Sequence, residues 1–221
     1  MIRIGETPPS LSQALLQRYR RITPAAMGHH VEGGIMDPAL KPVQSNVAIV
    51  GPAVTVQCLG RDSAVCHKVI DLLRPGDVLV IDRGGDLRYA CWGEMMTLAA
   101  QLRGVAAVIV DGLATDIQFI RGCPMPVFCR GVTPLTTRLL GQEGSINLPV
   151  QCGGVVVQPG DLICADDNGI ASLAAGEAAR LVELFEREEA GDVEFRDDLH
   201  AGKLPSELSG IDALIAANGG H

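Results

Sequence analysis

Long apolar runs are missing from this chain of 221 residues; none approaches the ~20 residues that span a bilayer. The N-terminus, Met-Ile-Arg-Ile-Gly-Glu, carries no apolar stretch of the signal-peptide kind, so no membrane partner is expected. Basic runs are also missing. With a net charge of −8 and no Lys/Arg cluster, the chain lacks the footprint of a nucleic-acid binder. Lysines are few: Lys41, Lys68 and Lys203. None follows a central apolar run, so a Schiff-base mechanism has no evident nucleophile. There is no GxGxxG, no phosphate loop and no GxSxG elbow. Aromatics make up only 3%, so the core must be built from Val, Leu, Ile and Ala. The seven cysteines (Cys58, Cys66, Cys91, Cys123, Cys129, Cys152 and Cys164) include no CxxC pair. They read as small buried hydrophobes in a reducing, cytoplasmic setting rather than a zinc knot or disulfide framework.

What is present is ordinary globular composition, 47% hydrophobic and 20% charged. Ser10 can cap a helix over 10–20, in which Leu11, Ala14, Leu15 and Tyr19 share a face. Residues 22–46, rich in Gly and Pro, read as an irregular arm. Val47–Val50 and Ala53–Leu59 are β-rich runs divided by a turn at Gly51-Pro52. Asp62 can cap a helix carrying Val65, Val69, Leu72 and Leu73. Val78–Ile81, Ala106–Val110 and Val127–Cys129 are short apolar strands of the doubly buried kind, separated by helical stretches. That alternation predicts parallel βαβ units. Downstream, Val155–Val157, Leu162–Ala165 and Ile170–Leu173 are hairpin-like, with Asn168-Gly169 as a turn signal. Residues 175–190 read as a charged amphipathic helix, and a last helix follows Pro205. The division expected is an arm over 1–46, a core over 47–175 and a helical extension over 176–221, in a single domain.

Ligands of parallel sheets bind beyond the carboxyl ends of the strands. Two loops there carry acids: Asp82-Arg83-Gly84-Gly85-Asp86-Leu87-Arg88, leading to Gly93-Glu94, and Asp111 to Asp116. Gathered carboxylates repel unless a cation or protons relieve them, which points to a hard divalent ion. Each acid alone also reads as a helix cap or turn former. The start of the helix near Gly93 offers backbone N–H groups to a carboxylate. His67 is a candidate lining residue, or a plain helix-face histidine; His29 and His30 fall in the irregular arm.

Several motifs, in order, resemble one family. They are Gly51-Pro52-Ala53-Val54-Thr55-Val56, Pro75-Gly76-Asp77 through Asp82, and Trp92-Gly93-Glu94-Met95 with Val110-Asp111-Gly112. Pro126 to Gly131, Cys152-Gly153-Gly154-Val155 and Ala165 to Gly169 complete the series. The chain resembles the family of the regulator of ribonuclease activity A and the metal-dependent 4-hydroxy-4-methyl-2-oxoglutarate aldolases, over roughly residues 22–175. That resemblance implies an α/β, swivelling β/β/α fold, with parallel βαβ units followed by a hairpin-rich half and terminal helices. It implies homotrimers or homohexamers with sites between subunits. It also implies Mg²⁺ or Mn²⁺, and cleavage of a 2-oxo acid (4-hydroxy-4-methyl-2-oxoglutarate, its 4-carboxy-4-hydroxy-2-oxoadipate analogue, or oxaloacetate) to pyruvate.

The family motif is an acid, twenty residues, then Arg-Asp. Here Glu94 and Asp116 match the acids: Asp116 as metal ligand, Glu94 as the holder of metal-bound water. Gly93, Met95 and Met96 match the segment whose backbone takes the substrate carboxylate. Thr115 stands where the aldolases have arginine, and Ser63 where asparagine is common. A hydroxyl lacks arginine's charge and fork, so Arg83 or Arg88 is the candidate substitute. A neighbouring subunit's acid completes the aldolase site, and Glu186, Glu188 and Glu189 are candidates. Two other readings stay open. One is a non-catalytic regulator that binds an endoribonuclease; the other is a hydratase or isomerase of a hydroxy acid on the same scaffold.

Overall fold

In a computed structural model that describes residues 1–219, the apolar runs form one ten-stranded mixed sheet and a separate two-stranded hairpin. In chain order, β1 (Ile2–Ile4), α1 (Gln13–Tyr19) and α2 (Pro24–Gly28) precede β2 (Lys41–Pro42) and β3 (Ala48–Gln57). Then come α3 (Ala64–Val69), β4 (Val78–Asp82), β5 (Ala90–Trp92) and α4 (Glu94–Leu102). Next are β6 (Ala107–Ala114), α5 (Ile117–Gly122), β7 (Val127–Val132), β8 (Gly144–Ile146), β9 (Val150–Cys152) and β10 (Val155–Val157). Last are β11 (Leu162–Asp166), β12 (Ile170–Leu173), α6 (Ala175–His200), α7 (Pro205–Ser209) and α8 (Ile211–Ala217).

β3, β4, β6 and β7 pair in parallel, with α3, α4 and α5 as crossovers. β4 is buried along its whole length, which is why it reads as an unbroken apolar run. Side chains alternate across a strand. Val56, Ile81 and Val110 therefore face the crossover helices through Val65, Val69, Met96 and Ile120. Ala53, Val80 and Ile109 face the other way, onto Val150, Cys152, Val157 and Ile163. A third cluster seats α1, α2 and α6 on β11 and β12 through Tyr19, Met27, Leu181 and Phe185. The Tyr19 hydroxyl donates to the Ala178 carbonyl at 2.9 Å, and its ring meets Phe185 edge-on at 6.2 Å.

Several expectations need correction. Ser12, not Ser10, caps α1, accepting from the Leu15 amide at 3.2 Å. The arm at 22–46 contains α2 and β2. Gly51-Pro52 is no turn; it lies inside β3, where the strand changes partners. Up to Pro52, β3 pairs antiparallel with β11; from Ala53 it pairs in parallel with β4. A Cβ on Gly51 would stand 2.2 Å from the Gly76 carbonyl oxygen, so the close approach requires glycine. The stretch Asp111–Ala114 is not a loop but the end of β6, carried past a register shift. β5, β8 and β9 are additional strands. α6 runs to His200, ten residues beyond expectation, although its buried residues end at Phe185.

The hairpin at Asn168-Gly169 forms as expected between β11 and β12. The two Pro-Gly-Asp turns are the same structure twice. Asp77 accepts the Arg74 amide at 2.7 Å, and Asp161 accepts the Gln158 amide at 2.8 Å. Among the described residues, no helix is long and apolar enough to cross a membrane.

Candidate active site at the start of α4

β5 lies beside the end of β6, with Trp92 opposite Ala114, and the Thr115 amide continues the ladder to the Trp92 carbonyl at 2.9 Å. That brings Asp116 against Gly93. Asp116 adopts a left-handed backbone (φ 53°), a conformation that Asp tolerates better than most residues. Its Oδ2 accepts the Glu94 amide at 3.0 Å. Glycine is required at 93, because a Cβ there would sit 2.4 Å from Asp116 Oδ2 and 2.7 Å from Thr115 Cγ2. Behind this junction the Thr97 hydroxyl donates to the Gly93 carbonyl at 2.8 Å and accepts from the buried Trp92 indole at 2.9 Å. Asp116 is exposed and Glu94 is half-buried. Met95 and Met96 supply first-turn N–H groups that no helical carbonyl can reach. The Met95 side chain is exposed, while that of Met96 is buried in the core.

The other acids of the expected cluster are elsewhere. Gln57, Asp82 and Asp111 are register partners on β3, β4 and β6, and alternation sends their side chains to the face opposite α4. There Asp82 accepts Gln57 Nε2 at 3.2 Å and the Gly84 amide at 2.6 Å. Asp111 accepts the Gly153 amide at 2.8 Å and pairs with Arg130, which also holds Asp37 at 2.7 Å. Asp86 binds the Arg88 and Tyr89 amides and the Arg83 guanidinium. All three acids are structural. The five-carboxylate site reduces to Asp116 and Glu94.

Arg83 is buried among the Cys58 and Gly60 carbonyls, the Cys58 thiol and Asp86, so it cannot replace the missing arginine. Arg88 is exposed and lies over the Tyr89 ring at 5.4 Å, with Arg61 over the same ring at 5.1 Å. Ser63 is buried, its hydroxyl donating to the Arg138 carbonyl at 3.3 Å, and His67 is exposed on α3. Asp62 holds the loop that follows Arg138 by accepting the Leu140 and Gln142 amides, and it also accepts that of Ala64. Burial pushes its carboxyl upward, but the Gln142, Ala64, Leu140 and Gly141 amides outweigh this and hold it well below the usual range.

The three acids proposed for a neighbouring subunit are engaged within the chain. Glu186 pairs with Arg18 at 2.5 Å, Glu188 with His30 at 2.8 Å, and Glu189 accepts the Thr23 amide at 2.6 Å. They fasten α1 and α2 to α6, and His29 and His30 belong to that junction. Trp92 belongs to the motif Trp92-Gly93-Glu94-Met95, but nothing in the sequence signals the clamp of its indole on Thr97. A cavity of about 1040 Å³ lies at the opposite end of the strands, lined by Gln44, Asn46, Arg121 and Pro126 among others. It includes neither Asp116 nor Glu94. The carboxyl-end position of Asp116 is where parallel sheets bind their ligands.

Known proteins share this architecture. A Streptomyces coelicolor protein described as an unusual member of the RNase ES inhibitor RraA family superposes with a TM-score of 0.72. It is 25% identical, over 88% of this chain and 100% of its own. The RNA-processing inhibitor RraA of Thermus thermophilis gives a TM-score of 0.63 at 28% identity, over 69% of this chain and 92% of its own. In sequence, a Halalkalibacterium halodurans protein named "Putative 4-hydroxy-4-methyl-2-oxoglutarate aldolase" is 33% identical over 186 residues. That match covers 82% of this chain and 88% of the relative. The RraA-like family, described as Aldolase/RraA, matches residues 22–171. The chain belongs to the RraA-like family.

Proposed function

We propose that this protein is a divalent-metal-dependent carbon–carbon lyase acting on a 2-oxo acid, as an aldolase of the 4-hydroxy-4-methyl-2-oxoglutarate type or an oxaloacetate decarboxylase. The observation that carries the reading is the junction of Asp116 with the start of α4. It sets an exposed carboxylate, with Oδ1 to spare, beside Glu94 and the positive end of a helix. Two carboxylates with oxygen donors and solvent access suit Mg²⁺ or Mn²⁺, which keep several waters. Asp116 would hold the ion and Glu94 would hold and orient a water next to it. The metal, when bound, supplies the charge that steadies the electron pair released as the C–C bond breaks.

The chain's own groups do the rest. The N–H groups of Gly93 to Met96 take the substrate carboxylate at the helix start. Thr115 offers one hydroxyl hydrogen bond where relatives in the aldolase class grip with a guanidinium. Arg88, exposed in the preceding loop, supplies the positive charge in its place. This exchange should weaken the grip on the pyruvate unit.

A homotrimer or homohexamer completes the site. Glu186, Glu188 and Glu189 are engaged within the chain, so the exposed acids further along α6, Asp192, Glu194 and Asp197, take their place as candidates for the neighbour's acid. Val193, Leu199, Leu214 and Ile215 are exposed apolar residues on the same extension, and burial against a partner would cover them. The test is pyruvate release from oxaloacetate and from 4-hydroxy-4-methyl-2-oxoglutarate, with Mg²⁺, with Mn²⁺ and with a chelator. Metal-dependent release supports the reading. No release from a folded oligomer contradicts it.

A second reading, a regulator that binds an endoribonuclease, is favoured by two structural relatives, one described as an RNA-processing inhibitor and one as an unusual member of the RNase ES inhibitor RraA family. Dose-dependent inhibition of a purified endoribonuclease by the Asp116→Ala protein would support that reading over the lyase.

A further inference from the structure

Cys58 after β3, Cys66 on α3 and Cys91 on β5 come from three separate elements and meet inside the core. Their Sγ atoms all lie within 4.8 Å of one another, and all three residues are buried. Among the described residues this is the only group of three or more His, Cys, Asp or Glu side chains so placed.

The neighbour of this trio is Arg83, whose side chain is fully buried. Its guanidinium donates to Cys58 Sγ at 3.0 Å, and its Nε finds no acceptor. A buried charge is costly unless it is paired. Its one carboxylate partner, Asp86, stands 3.2 Å away and is partly exposed. The Cys58 and Gly60 carbonyls anchor the same guanidinium, so a fixed positive charge stands against the Cys58 sulfur and would favour its thiolate.

We propose that Cys58, Cys66 and Cys91 form a three-coordinate thiolate site for a soft monovalent cation, Cu(I), with Arg83 offsetting part of its charge. Three sulfurs around one ion at a metal–sulfur distance near 2.3 Å stand about 4.0 Å apart, so a small inward movement of the side chains closes the site. Thiolate donors select soft ions. Zn²⁺ prefers four ligands, and among the described residues no fourth His, Cys, Asp or Glu side chain joins the three. Cu(I) accepts three. Three thiolates and one monovalent cation leave two negative charges, one of which Arg83 offsets. N–H donors directed at ligating groups also fix their orientation. The site is separate from Asp116. It would fasten α3 to β5, the strand that delivers Gly93.

The test uses the full chain without oxygen, titrated with Cu(I) in competition with a coloured Cu(I) chelator. The expected result is one equivalent withdrawn per chain, with an X-ray absorption spectrum showing three sulfur neighbours. Cys58→Ala, Cys66→Ala and Cys91→Ala should each reduce uptake from one equivalent to none, while Cys129→Ala keeps it. Copper left wholly on the chelator, oxygen or nitrogen neighbours, or equal loss in Cys129→Ala would overturn the proposal. Should the variants fail to fold, the wild-type stoichiometry and spectrum decide alone.

Discussion

Asp116 Oδ2 accepts the amide of Glu94 at 3.0 Å, joining residues 22 positions apart at the mouth of the parallel sheet. One carboxylate thus closes the first turn of α4 and still presents an oxygen outward. The contact depends on the bare backbone of Gly93.

Gly93→Ala should abolish activity while sparing the fold. The new methyl meets Asp116 Oδ2 at 2.4 Å, so the carboxylate must move. The overpacking cost is about 1–3 kcal/mol, which a domain of this size can tolerate. Thermal melting checks the fold, and pyruvate release checks the site. Undiminished turnover would mean that Asp116 need not sit against α4.

Thr115→Arg should raise turnover of 4-hydroxy-4-methyl-2-oxoglutarate by about tenfold or more, since a charge-assisted fork is far stronger than a hydroxyl contact. The gain should appear mainly in KM if the arginine only binds, and in kcat if it acts in the transition state. Steady-state kinetics with both substrates distinguish the two. No gain would show that another group already fills this role.

Arg83 and Arg88 should separate cleanly. Arg83→Met breaks a buried, hydrogen-bonded charge network at a cost of about 3–5 kcal/mol and should lower the melting temperature. Arg88→Ala, at an exposed position, should leave the melting temperature unchanged and raise KM for a 2-oxo acid. If Arg88→Ala kinetics match wild type, the substitute charge lies elsewhere.

Acid should loosen the loop after Arg138. Asp62 has a folded pKa below its ordinary 3.8, so its stabilisation is complete above that value and fades as pH falls through the folded one. Asp77 and Asp161 work in the opposite sense. Burial pushes both up, so the fold gains from their protonation as pH falls and loses that gain as pH rises. Asp62→Asn should therefore lose stability at neutral pH and flatten the acid limb of a pH–melting curve. An unchanged acid limb would refute this assignment.

The parallel half was legible because Val78–Ile81, Ala106–Val110 and Val127–Cys129 are buried on both faces and carry no polar interruption. β5 was not, because Ala90-Cys91-Trp92 is three residues long and its pairing is set by the distant end of β6. The outer part of α6 was missed because residues beyond Phe185 bury nothing, leaving no apolar stripe to read. At the site, the family spacing picks out Glu94 and Asp116, which the fold brings side by side. Position along the chain could not show that Asp82 and Asp111 point to the opposite face, since that depends on the register among β3, β4 and β6. The cysteine trio left no trace in spacing, because its members are brought together only by packing.

Mn²⁺ binding, measured by electron paramagnetic resonance, decides whether Asp116 holds a divalent ion. Wild-type protein should take up Mn²⁺ saturably and more tightly with a 2-oxo acid present, and Asp116→Ala should lose this uptake with the fold and assembly intact. Equal Mn²⁺ uptake by wild type and Asp116→Ala would contradict it.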